Sequence, residues 1–145
     1  MPPLEAFRVD LVIVNLGNTP AQVSGSLLQV SAIELTPDEP PYNEDLRSES
    51  AYWLLKGDSV VRHADGGFNE YEAEWIGDSR RRFRVYVFGY VDYMDRFGRR
   101  HRHGFGRRYD PSDTNYNLRF VPEAGYNYDR ERKPGEGNDW DEPTQ

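Results

Sequence analysis

The sequence predicts an all-β chain folded as an antiparallel β-sandwich of about seven strands. Three observations carry that expectation. Apolar residues recur with a period of two in several short segments, and no segment repeats them at the helical 3.6. Turn-forming Gly, Pro, Asn and Asp interrupt those segments at short intervals. Aromatic residues make up 14% of the chain, with ten Tyr and seven Phe, residues that fit a pleated, half-buried surface. A sandwich closes such a pattern naturally, and a small barrel is the second closure it permits.

The elements follow in order. Residues 7–16, FRVDLVIVNL, set Phe7, Val9, Leu11 and Ile13 on one side and Arg8 and Asp10 on the other. The next turn holds Asn15 and Thr19 to hydrogen-bond its backbone, Gly17 for an unusual φ and Pro20 to fix the exit. A second strand runs through 23–35, where Gly25 and the Leu27-Leu28 pair predict a bulge or kink. Residues 36–50 are polar and rich in proline, a loop too long for a tight turn. Strand character returns over 51–63, broken by Lys56-Gly57-Asp58-Ser59. Residues 68–76 alternate again, with Tyr71, Ala73 and Trp75 facing in and Glu70, Glu72 and Glu74 facing out.

The clearest strand spans 82–95. Phe83, Val85, Val87, Gly89, Val91 and Tyr93 share one face; Arg84, Tyr86, Phe88, Tyr90 and Asp92 share the other. Gly89 inside it predicts room for a neighbouring aromatic ring. Residues 95–100 form a turn, with Asp95 capping backbone amides and Gly98 at positive φ. The chain returns with His101, His103 and Phe105 against Arg100, Arg102 and Gly104, and this hairpin, 83–109, is expected at the centre of its sheet. A short strand at 116–121 ends at Pro122. The expected domain is residues 1–128, followed by a disordered acidic tail over 129–145.

Charge is unevenly spread beneath a net −7. Residues 1–79 carry −10, residues 80–110 carry +7 with ten arginines, and residues 111–145 carry −4. The basic middle either pairs with its acidic flanks or forms an anion-binding ribbon. The absence of cysteine excludes disulfides, thiolate metal sites and cysteine nucleophiles. No stretch approaches the roughly 20 apolar residues of a membrane span, and MPPLEAF lacks the basic start and apolar run of a signal peptide, so a soluble chain is expected.

His101 and His103 would lie roughly 7 Å apart on one strand face. With His63 and Asp92 or Asp95 they could make a metal site, but Arg99, Arg100 and Arg102 oppose a dication. The expectation is therefore no metal and no cofactor, with the histidines on a sheet surface, stacked on tyrosine or paired with carboxylates. No nucleophile elbow, phosphate loop or dinucleotide fingerprint occurs, and no catalytic residue is assigned. The Arg and aromatic residues of the hairpin supply cations and stacking faces together, which fits nucleic acid, although the net charge is acidic. The same residue types serve protein contacts.

Two stretches carry a resemblance. VNLGNTPAQV resembles the Asn-x-Gly-x-Thr-Pro-Ala turn of bacterial immunoglobulin-like adhesion and accessory domains. GYVDYMDRFGRRHRHGFGRRY is similar to the Gly-x-Val-x-Tyr-x-Asp-x-Phe-Gly hairpin of a set of uncharacterised bacterial proteins with an Ig-like domain. The resemblance covers roughly residues 9–128. It implies an immunoglobulin-like sandwich, often the extramembrane part of a membrane-anchored protein, though this chain carries no membrane segment, and it supplies no catalytic residues. The function expected is a non-enzymatic interaction or accessory domain with a protein partner. Its expected contact surface comprises Arg84, Tyr86, Tyr90, Arg99, Arg100, His101, Arg102 and His103, with Arg102 exposed. A nucleic-acid-binding β-domain using the same face is the alternative.

Overall fold

A computed structural model describes residues 7–33, 37–66, 84–109 and 118–136. Eight strands run through them: β1 (Phe7–Val14), β2 (Ala21–Ile33), β3 (Tyr52–Leu54), β4 (Ser59–Gly66), β5 (Arg84–Met94), β6 (Arg100–Tyr109), β7 (Leu118–Phe120) and β8 (Tyr128–Glu131). The only helical element among the described residues is a 3-10 turn, Glu44–Leu46. The fold is all-β, as the two-residue periodicity requires. The alternating segment 68–76 lies outside the described residues.

All the strands pair antiparallel, in two sheets. β1 and β4 form one; β3-β2-β5-β6-β7, with β8 also on β6, form the other. The β5–β6 hairpin is central to the larger sheet. Between the sheets Val9 packs on Leu28 and Val87, and Ile13 and Val60 flank the buried Val23, Leu54 and Val91. These are the inward parities of their strands, so burying them drives the two sheets together. The second face of the large sheet is buried too. Tyr86 and Phe88 pack there with Val121 and Tyr126, and Tyr42 and Ile33 border them. Loop 37–50 and the chain after β7 therefore cover this face in place of a sheet.

Local features match their chemistry. The β2–β5 register shifts between Val23 and Gly25, the bulge that the glycine implied. Gly98 has φ 77° in the hairpin turn, and Gly57 has φ 83° in the turn that breaks β3 from β4. Asn15 holds the first turn, donating to the carbonyls of Thr19 (2.9 Å) and Leu54 (2.8 Å) and accepting from the Gly17 amide. Gly17 itself does not take positive φ, because that Asn15 side chain closes the turn without it. Gly89 admits backbone before ring: a Cβ there would strike the Leu27 carbonyl of β2 and only then meet Phe105 at 3.0 Å.

Residues 129–136 correct the expected tail. β8 pairs Tyr128–Glu131 with Gly104–His101, and Arg132 behind it is buried. The charged composition of this segment conceals that its arginines have carboxylate partners: Arg130 grips Glu136 through two hydrogen bonds, 2.9 and 2.7 Å.

Candidate interaction surface

The hairpin divides into a buried stem and an exposed tip. In the stem, Asp92 and Arg102 face each other across the β5–β6 ladder. The Arg102 guanidinium donates to both oxygens of Asp92, at 2.8 and 3.0 Å, and lies over the Tyr90 ring, 3.6 Å from its centroid. Arg47, from the loop after the 3-10 turn, reaches the same carboxylate at 2.5 Å, and Arg132 approaches it at 3.7 Å. Asp92 is fully buried, and the three guanidiniums around it are nearly so. Burial disfavours the Arg102 cation, but the Asp92 carboxylate outweighs it and raises its pKa. The Tyr90 hydroxyl, desolvated and donating to Glu44 at 2.5 Å, is pushed up to about 12. This cluster ties the central strands to the loop and to the C-terminal segment.

Glycines make the room. A Cβ at Gly25 would run into the Arg47 guanidinium. At Gly104 and Gly106 it would run into the rings of Tyr128 and Tyr126, which lie flat on β6. The Gly-Phe-Gly of β6 thus puts bare backbone under two tyrosines and Phe105 towards the opposite sheet.

At the tip, one oxygen of Asp95 accepts from the amides of Phe97 (2.8 Å) and Arg99 (3.0 Å), and the other meets His101 Nε2 at 2.8 Å. Burial opposes this carboxylate, but the His101 hydrogen bond and the two amides outweigh burial and lower its pKa. His101 stacks on Tyr93, centroids 5.1 Å apart and planes 14° apart, and His103 lies 3.4 Å from Asp129. The histidines therefore sit as expected, on tyrosine and carboxylates. His63, on β4, instead meets Asp10 of β1 at 2.6 Å. No group of three or more His, Asp or Glu side chains is placed to hold a metal among the described residues.

Of the residues expected to form the contact surface, Tyr86, Tyr90 and Arg102 are corrected: all three are buried. Arg102 is 4% exposed because Asp92, on the same sheet face, draws its guanidinium inward. Arg84 lies at the far end of β5 from the tip, while Arg99, Arg100, His101 and His103 share the tip half. Arg99 and His103 are exposed and Arg100 and His101 half-buried.

The strand register adds residues that the periodicity did not single out. Val14 opposite Ser59, Ala21 opposite Leu54, Gln22 opposite Met94 and Met94 opposite Arg100 bring turns 15–20, 55–58 and 95–99 to one end. Four large apolar side chains stand out there: Leu16 (86% exposed), Phe97 (71%), Trp53 (60%) and Leu55 (56%). The Arg96 guanidinium lies over Phe97, 4.5 Å from its centroid. Asp58 and Asp95, the acids of two of these turns, are engaged in capping them. A large apolar residue at the apex of a polar turn, as in Asp95-Arg96-Phe97-Gly98, was the signal available in the sequence.

No family model, curated protein or solved structure matches this chain.

Proposed function

We propose that the protein is a non-enzymatic immunoglobulin-like domain of a bacterial protein, an interaction or accessory module that binds a protein partner. Its contact surface is the tip of the 83–109 hairpin and the two turns beside it. One observation carries the reading: Leu16, Trp53, Leu55 and Phe97 are exposed at the same end of the strands, with the Arg96 guanidinium over Phe97. Exposed apolar clusters edged by cations cost solubility and recur where proteins meet, with aromatic and Arg anchors supplying most of the energy. The stem cluster supports the same reading, because a rigid base keeps the tip pre-organised.

The nucleic-acid alternative draws on the Arg96–Phe97 pair, a cation beside a stacking face. Burial of Tyr86, Tyr90 and Arg102 takes away three groups on which it depended.

A photo-crosslinking residue in place of Phe97, activated in cells that make the protein naturally, tests the proposal. One discrete protein adduct is expected from position 97 and none from position 120, an exposed aromatic at the opposite end. An adduct lost on nuclease treatment would favour the alternative. No adduct at position 97 would refute both.

A further inference from the structure

Among the described residues β1 is an edge strand, paired only with β4. The Asn15 amide donates to the Asp58 carbonyl at 3.2 Å, which continues the β1–β4 ladder one residue beyond Val14. Antiparallel ladders alternate, so the odd-numbered residues bond to β4, while the N–H and C=O of Asp10, Val12 and Val14 point to the open side. The outward side chains there are apolar towards the C-terminal half. Val12 is 55% exposed, Val14 43% and Leu16 86%, with the half-exposed Val61 opposite Val12. The strand has no proline or lysine, the residues that commonly blunt such edges.

A cleft of about 790 Å³ runs beside the same strand. Both parities of β1 line it, so the strand's edge borders the cleft as well as its inner face. Leu28, Val87, Val91 and Phe105 line it with the inward residues of β1, and Asp95, His103, Arg107 and Asp129 add charge to its lining. Leu11 and Ile13, which point inward, are only half-buried. An extended strand laid along β1 would satisfy the open backbone groups and bring apolar side chains over the apolar part of this lining.

We propose that the added strand is β1 of a second copy, paired antiparallel about a two-fold axis at Val12. The charge pattern selects this occupant and register. Arg8 and Asp10 occupy one half of the strand, and Val12, Val14 and Leu16 the other. A two-fold at Val12 sets Val12 against Val12, Asp10 against Val14 and Arg8 against Leu16. No like charges meet, and the aliphatic stem of Arg8 covers the most exposed leucine. An axis at Asp10 would set two carboxylates face to face. On the inner side Leu11 meets Ile13 of the second copy, which extends both cores across the axis. The contact is isologous and closes on itself, so it yields a dimer and no filament. It shares only Leu16 with the surface proposed for the tip, and it does not depend on the tip's partner.

Sedimentation equilibrium from micromolar to millimolar protein, combined with amide hydrogen exchange, tests this. The wild type is expected to dimerise within that range, with the amides of Asp10, Val12 and Val14 protected in the dimer. Val12→Pro removes only a donor aimed at the open side, a position where an edge strand tolerates proline. It should be monomeric with those neighbouring amides exchanging fast. Should it misfold, Val12→Asp, which places two carboxylates across the axis but only on the surface of a monomer, should weaken the dimer at least tenfold. A wild type that stays monomeric throughout would overturn the proposal. So would protection of these amides in a monomer, since another part of the chain would then hold the edge. A dimer unaffected by both substitutions would do the same.

Discussion

Asp92 shows how one residue can organise distant chain segments. It sits on the strand face of Tyr86, Phe88 and Tyr90, and a buried carboxylate there requires cations and hydrogen bonds to replace water. Arg102 answers from the neighbouring strand, Arg47 from 45 residues before it and Arg132 from 40 after. Glu136 anchors the last segment. Its hydrogen bonds from Arg130 overcome burial and, with the Lys133 amide, lower its pKa to about 2 from 4.5. A lowered carboxylate stabilises the fold fully above its unfolded value and loses that contribution as pH falls through the folded one. Glu136→Gln should therefore cost about 1–2 kcal/mol at pH 7, a figure reduced for solvent screening. The difference from wild type should shrink as pH drops from about 4.5 towards about 2 in urea melts of both proteins.

At the scale of elements, the central hairpin was legible in the sequence and its cover was not. Alternation along 84–94 is local, so it shows in the residues themselves, as does the turn with Asp95 and Gly98. The parity of Tyr86, Phe88, Tyr90 and Asp92 reads as an amphipathic surface because nothing nearby in the sequence could cover it. Its cover is loop 37–50 and the segments flanking β8, residues 121–127 and 132–136, aperiodic stretches stabilised by packing and ion pairs, so hydrophobic periodicity passes over them. Arg102 reads as solvated for the same reason, since its meaning depends on Asp92 being buried. The glycines of β6 were visible as residues but not as contacts. Gly104→Ala tests that contact: its methyl must displace the Tyr128 ring, which also hydrogen-bonds Tyr42 at 2.9 Å. A loss of about 1–3 kcal/mol in chemical denaturation is expected, although alanine suits a strand at least as well as glycine.

Over the whole molecule, the two sides of the large sheet do different work. One side meets the β1–β4 sheet in an apolar interface; the other closes on a charged and aromatic layer that fixes the hairpin. Beyond that layer the hairpin tip emerges with the turns that expose Leu16, Trp53 and Leu55. Rigidity in the stem and exposure at the tip are therefore separable, and that division is the centre of the account.

Thermal unfolding of two variants measures the division directly. Arg102→Ala strips a buried partner from Asp92 and should cost about 3–5 kcal/mol, lowering Tm by on the order of 10 °C or more. Phe97→Ser combined with Arg99→Ser removes only exposed side chains and should melt within about 2 °C of wild type. If Arg102→Ala leaves Tm unchanged, or the tip variant falls as far as Arg102→Ala does, the separation of structural stem from contact tip is wrong.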